Sequence, residues 1–157
     1  MEFDVKITPG ILYDYMLHHT YTGATGLVGN CMGALMVVLF FYNGNVLALI
    51  GGLVVLAYTP WSLFLKSRQQ MLRTPAFKNP IHYVLGDEGI QISQGEDQVE
   101  VAWDMLYKAV GTRKSIVIYT SKVNACIFPR KDLGGQTTEA IAIISANMPP
   151  AKVKIRF

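Results

Sequence analysis

The chain has 157 residues, with 14 Lys and Arg against 11 Asp and Glu for a formal charge of +3, and with 51% hydrophobic but only 16% charged residues. Soluble domains carry about 25% charged residues, so an ordinary soluble composition throughout is excluded. The part after residue 65, about 90 residues, is enough for one small domain and no more. The weak positive charge does not point to nucleic acid, because Lys6 alone precedes Leu65 and every other Lys and Arg follows it.

Residues 1–8 alternate Phe3, Val5 and Ile7 with Glu2, Asp4 and Lys6, the period of a half-buried strand. Such a strand must pair, and a later sheet is the available partner. Thr8 is placed to cap a helix with Pro9 in its first turn. That helix, over 11–21, carries Ile11, Leu12, Tyr15, Met16 and His19 near one face. Tyr13, Tyr15, Tyr21, His18 and His19 suit the headgroup level of a bilayer. A second reading takes Asp14 and His18, one turn apart, as metal ligands, without a third partner in the vicinity.

No Asp, Glu, Lys or Arg occurs between Asp14 and Lys66. Residues 24–42 and 46–65 are each close to the roughly 20 apolar residues that a helix needs to cross a bilayer. Helices satisfy every backbone group internally, as lipid requires. Asn43-Gly44-Asn45 is the turn between them. In the first arm Gly26, Gly29, Asn30 and Gly33 are the expected packing positions, with Ala48 and Gly52 opposite them in the second. Small residues let helix backbones approach closely in lipid, and an uncharged Asn can bond across an interface. They serve either contact between the two arms or docking to another membrane protein.

Tyr58, Trp61 and Phe64 read as an interfacial anchor, and Pro60 can kink the helix there. Lys66, Arg68, Arg73 and Lys78 follow directly. Basic residues concentrate on the cytoplasmic side, which places this end, and after two spans the N-terminus as well, inside the cell. The same side chains can meet anionic headgroups, each worth about 1 kcal/mol near the surface. Thr74-Pro75 and Asn79-Pro80 end the helix.

From residue 81 the period changes to that of strands. Expected strands cover 81–85, 90–92 and 99–103, separated by turns at 86–89 and 94–97, followed by 108–111, 115–121 and 123–128. The last two are joined tightly around Lys122. Trp103 is expected beneath the sheet, with Asp104 capping the next turn. Residues 129–135 break the sheet. Thr137 or Thr138 then caps a helix to about Asn147 with Ala140, Ile141 and Ile144 inward. Val153, Ile155 and Phe157 alternate with Lys152, Lys154 and Arg156, either as a last strand or as a basic tail along the membrane. The basic pairs Arg113-Lys114 and Arg130-Lys131 are loop charges; if they converge with Lys122 they form a pocket for a headgroup or an acidic peptide. Cys31 falls in the first arm and Cys126 in the later domain, so no disulfide is expected, and Cys126 reads as a core thiol. A secretory signal is not expected, because the first apolar arm is too long for one and a second follows it.

The helical hairpin, the phrase Tyr58-Thr-Pro-Trp-Ser-Leu-Phe-Leu-Lys66, the run 99–107 with Trp103-Asp104, and Asn124-Ala-Cys-Ile-Phe-Pro-Arg-Lys131 together resemble the YcxB-like small bacterial membrane proteins. The resemblance covers nearly the whole chain and implies a membrane helical hairpin followed by an α+β cytoplasmic domain. That domain would be pleckstrin-homology-like, a bent antiparallel sheet closed by one C-terminal helix. The implied segments are 1–22, a strand and interfacial helix; 23–65, the hairpin; 66–80, a basic linker; and 81–157, the domain. The family brings no activity with it.

No Gly-rich phosphate loop, Cys-x-x-Cys, His-Glu-x-x-His or Gly-x-Ser-x-Gly motif occurs, so neither catalytic residues, a cofactor nor a metal is expected. The expected role is a membrane-anchored adaptor in the cell membrane that binds another membrane protein, or itself, and contacts lipid. The alternative is an accessory subunit of a transport or export complex, joined through its helices. A pore formed by this chain alone fits less well, because the arms lack the ionisable residues of ion pathways.

Overall fold

The computed structural model describes residues 1–77, 79–122 and 124–155. The chain divides into two compact units, one of Met1–Tyr15 with Met71–Phe157 and the other of Met16–Gln70.

In the first unit β1 (Glu2–Val5) precedes helix α1 (Pro9–Thr22), whose opening turns belong here. Thr8 starts that helix as expected: its carbonyl accepts the N–H groups of Ile11 and Leu12 at 3.1 and 3.0 Å. Of the anticipated stripe, Ile11 and Leu12 are buried while His19 is exposed.

In the second unit α2 (Ala24–Asn43) and α3 (Val46–Arg73) form the hairpin. Gly44 ends α2 in the left-handed region at φ 67°, its N–H bonded to Phe40 O at 2.8 Å, a conformation that costs a residue with a Cβ. Asn45 Oδ1 accepts the N–H groups of Leu47 and Ala48 at 3.0 and 3.3 Å and so caps α3. Pro60 lies inside this uninterrupted 28-residue helix.

Both helices are long and apolar enough to cross a membrane, over Gly26–Asn43 and Val46–Arg73. Phe41 and Leu47 are 79% and 77% exposed, and Leu27, Val28, Met32 and Leu35 also point outward. An apolar surface on that scale is not left in water, and it fits a two-pass membrane protein.

Past α3, the first unit continues with β2 (Ile81–Leu85), β3 (Gly89–Gln94) and β4 (Asp97–Ala102). β5 (Lys108–Gly111), β6 (Ser115–Tyr119) and β7 (Ala125–Pro129) follow. Then come a short α4 (Arg130–Leu133), α5 (Thr137–Asn147) and β8 (Val153–Lys154). The strands make two four-stranded sheets, ordered β1-β2-β3-β4 and β7-β6-β5-β8. The first strand of the chain therefore pairs antiparallel with β2, Phe3 opposite Tyr83, across the whole hairpin in sequence. β8 resolves the open reading of the tail as a strand, parallel to β5 with Val153 opposite Ala109; Arg156 and Phe157 lie outside the described residues.

The core joins the two sheets. Phe128 packs edge-on to Phe3 and Tyr83, with ring centroids 5.1 and 4.8 Å away. Ala140, Ile141 and Ile144 bury the inner stripe of α5. Every residue of β6 is buried, which its β-branched run suits.

Several local expectations change. The β4 strand stops at Ala102; the Trp103 N–H still bonds across to Glu88 O at 3.3 Å, in line with the Gly89–Ala102 pair, and the chain then enters a 3-10 turn, Trp103–Met105, closed by the Leu106 N–H on Trp103 O at 3.3 Å. Asp104 lies inside that turn and does not cap it. Thr137 is the first residue of α5 rather than its cap, and its Oγ1 donates instead to Gly134 O at 3.1 Å. β7 begins at Ala125, with Asn124 preceding the strand, and Val123 lies outside the described residues.

Candidate interaction surfaces

Three features stand out: a basic edge, an acidic-rimmed cleft and a glycine contact. The basic edge is built by strand register. Ser115 lies opposite Pro129, and the Arg130 N–H bonds to Lys114 O at 2.9 Å, so the Arg113-Lys114 turn and the Arg130-Lys131 start of α4 share one end of the second sheet. Lys6 joins them through its backbone N–H, which donates to Asp132 Oδ2 at 3.1 Å. Asp132 also sits 3.7 Å from Lys131 Nζ and offsets part of that charge. Lys122 does not converge with these residues. It lies in the β6–β7 connection, at the opposite end of β6 from the Arg113-Lys114 turn. The turn itself is closed by Thr112, whose N–H bonds to Ser115 O at 2.8 Å. Arg113 and Lys114 are exposed at its tip.

Lys66 and Arg68 are exposed near the end of α3, Arg68 over the Phe64 ring at 4.7 Å, and Arg73 is the last residue of that helix. Lys78 lies outside the described residues.

The sequence reading missed the cleft. It has a volume of about 490 Å³ and opens between the β2–β3 turn, with Asp87 and Glu88, and the Trp103-Asp104 turn. Asn147 at the end of α5, Pro149 and Lys152 complete it. Trp103 is buried and its Nε1–H donates to Gly86 O at 3.0 Å. Lys152 Nζ donates to Leu106 O at 2.9 Å. The three carboxylates are exposed and, among the described residues, none forms an ion pair. The two acidic turns were visible in the sequence. What hid the cleft was that the end of α5 and β8 return beside them only through the parallel pairing of β8 with β5.

Of the helix-packing positions, Gly33 and Gly52 are brought together. A Cβ on Gly52 would stand 2.8 Å from Gly33 O, and one on Gly33 would stand 2.8 Å from Leu56 Cγ. Gly26 instead lies against the Thr20 backbone at the α1–α2 corner, and nothing stands within 4 Å of a Cβ on Gly29. Ala48 and Asn30 are half-buried. Gly51, absent from the expected set, lies against Met36 Cε.

Asp14 is engaged by protein, since its Oδ2 accepts the Thr112 hydroxyl at 2.6 Å. Among the described residues no group of three or more His, Cys, Asp or Glu is arranged to hold a metal. Cys126 is buried, and loss of hydration pushes its thiol up to about 11 despite the opposing hydrogen bond with Tyr83. Burial likewise raises the Tyr83 and Tyr119 hydroxyls, Tyr119 to about 12. A thiol held protonated in this way is a weak nucleophile.

Residues 85–145, from the end of β2 into α5, match the family model described as YcxB-like protein. The chain carries a YcxB-like region. No curated protein and no solved structure matches the chain. The YcxB-like region holds Asp87, Glu88, Trp103 and Asp104 of the cleft and both basic pairs of the edge, so both surfaces fall largely within it.

Proposed function

We propose that this chain is a membrane-anchored interaction module, in which a pleckstrin-homology-like domain is held at the inner leaflet and binds another membrane protein. The observation that carries the reading is the pairing of β1 with β2. It makes the apolar hairpin an insertion within one domain, attached to it covalently at both ends, where a simple anchor would need only one connection. The order of a four-stranded antiparallel sheet, a three-stranded antiparallel set and the C-terminal helix α5 supports the pleckstrin-like assignment. Lys66, Arg68 and Arg73 in the last turns of α3 support a cytoplasmic domain and cytoplasmic termini. Tethering raises the effective concentration of the domain at the bilayer, so that weak contacts through the basic edge suffice.

The test is purification of the natively expressed protein in mild detergent, with mass spectrometry of what accompanies it, compared between the natural chain and Arg113→Ser/Lys114→Ser. A membrane protein recovered in stoichiometric amount with the first and lost with the second supports the module. Recovery of the same partner with both, but its loss on Gly29→Leu, would assign the contact to the helices and favour an accessory subunit. A Cβ added at Gly29 meets nothing within 4 Å, which makes it the position for that comparison. Isolation of the natural chain without any protein partner overturns both readings.

A further inference from the structure

The basic turn and the acidic-rimmed cleft sit at opposite ends of β5. Arg113 and Lys114 follow its last residue, Gly111, while Trp103 and Asp104 precede its first, Lys108, and Lys152 lies beside that same start through the Val153–Ala109 pairing. One copy therefore cannot fold its own turn into its own cleft. We propose that the β5–β6 turn of one copy docks into the cleft of a second copy, so that the partner-binding domain joins to itself head to tail. This rests on the reading of the domain as a partner-binding module and names a second copy of this chain as one partner.

The complementarity is one of charge and of lining. The turn is a closed tip, held by the Thr112–Ser115 backbone bond at 2.8 Å, and it presents two exposed cations on long aliphatic stems. The cleft offers the matching surroundings, with exposed Pro149 and the edge of the largely buried Trp103 beside the stems and Asp87, Glu88 and Asp104 beside the charged heads. Long basic side chains bury their stems on apolar surface while the head keeps a polar partner. The one cation in the cleft does not neutralise the carboxylates by contact, because Lys152 Nζ is directed to Leu106 O at 2.9 Å. The C-terminal end of α5 at Asn147 adds further negative potential there. Two copies confined to one membrane meet at high effective concentration, and a contact between different patches leads to rings or chains rather than to one closed symmetric pair.

The experiment uses two differently tagged full-length copies, co-reconstituted in neutral lipid vesicles and captured after mild solubilisation. The natural chain captures its second copy. The tip variant Arg113→Ser/Lys114→Ser captures itself at least tenfold less, and so does the cleft variant Asp87→Asn/Glu88→Gln/Asp104→Asn. Mixing the two variants restores capture, because one supplies an intact cleft and the other an intact turn; that recovery also shows that both are folded. Raising salt from 50 to 500 mM weakens capture of the natural chain. Absence of self-capture by the natural chain, capture unchanged in either variant, or failure of the mixture to recover overturns the proposal. If self-capture fails while native purification still yields a different membrane protein that is lost with the tip variant, the interaction module stands and head-to-tail docking falls.

Discussion

Phe3 lies edge-on to Phe128, ring centroids 5.1 Å apart and planes at 84°, so the first strand of the chain is part of the core of the domain that follows the hairpin. Phe3 is also stacked on Tyr83 at 5.9 Å. Neither neighbour can close over the space its ring would leave, because both are already buried. Phe3→Ala should therefore cost about 3–5 kcal/mol, the usual range for a large aromatic removed from a core. Hydrogen exchange followed by mass spectrometry would show it as lost protection in β2, where Leu85 and Tyr83 lean on β1. Unchanged exchange in Ile81–Leu85 would mean that β1 is an accessory to the sheet.

The hairpin makes a graded prediction. At Gly52 an added methyl stands 2.8 Å from the Gly33 carbonyl oxygen, which is backbone and cannot turn aside; at Gly33 its closest neighbour is the Leu56 side chain, which can shift, and the Gly52 carbonyl oxygen is farther, at 3.2 Å. At Gly29 it meets nothing. Gly52→Ala should separate the arms and cost about 1–3 kcal/mol, as overpacking does. Gly33→Ala should cost less and Gly29→Ala nothing measurable. Spin labels at the exposed Val38 and Ile50, read as an interhelical distance, would rank the three. An equal response at all three positions would remove the close backbone approach as the cause.

Much of this was legible before any coordinates, for reasons that lie in particular residues. The charge gap from Asp14 to Lys66 marked the hairpin because lipid excludes charge. The alternation of Phe3 and Val5, and of Ile81, Tyr83 and Leu85, marked two half-buried strands, and the need of β1 for a partner implied that it joins the later sheet, while the choice of β2 as its neighbour comes from the register. The stripe Ala140, Ile141, Ile144 marked α5. What stayed hidden depended on contacts between distant segments. The alternation of Val153, Ile155 and Phe157 suited a strand and a basic tail alike, and only the pairing of β8 with β5 decides between them. Convergence of Lys114 with Arg130 was open until the Ser115–Pro129 register settled it, and that same register sends Lys122 to the other end. Asp104 had the right chemistry for a cap, but the 3-10 turn starts one residue earlier, at Trp103, and takes Asp104 into its interior.

Alkaline pH should loosen the domain through Cys126. Its thiol ionises near 9.0 in the ordinary state and near 11 when folded, because burial disfavours the thiolate. The stabilising difference is fully present below pH 9 and is lost as pH rises through 11, an effect on the order of 2 kcal/mol. Tyr119, raised to about 12 from 10.0, extends the decline upward. Cys126→Ser keeps a hydroxyl for Tyr83 without a group that titrates in this range. Its melting temperature, followed by Trp103 fluorescence in a Trp61→Phe background, should fall less between pH 8 and 10 than that of the natural chain. Parallel curves would place the loss at the tyrosines.

The bond between Thr112 and Asp14 yields the last prediction. Thr112 Oγ1 donates to Asp14 Oδ2 at 2.6 Å and accepts the Ser115 N–H at 3.0 Å, so one hydroxyl ties the first turns of α1 to the basic tip. A hydrogen bond to a charged group contributes about 1.5–3 kcal/mol, and Thr112→Val should lose that amount while Thr112→Ser retains it. The Ser115 amide should exchange faster in the first variant and at its natural rate in the second. Ser115 Oγ offers the opposite sign: it is buried and, among the described residues, has no hydrogen-bond partner. Removing an unsatisfied buried hydroxyl relieves a desolvation cost of about 1–3 kcal/mol, so Ser115→Ala should stabilise the domain. Because the Asp14 carboxylate is committed to Thr112, added zinc should leave Ser115 exchange unchanged. A zinc-dependent change at Ser115 would reopen Asp14 and His18 as ligands and would undo the assignment of Asp14 as the anchor of the tip.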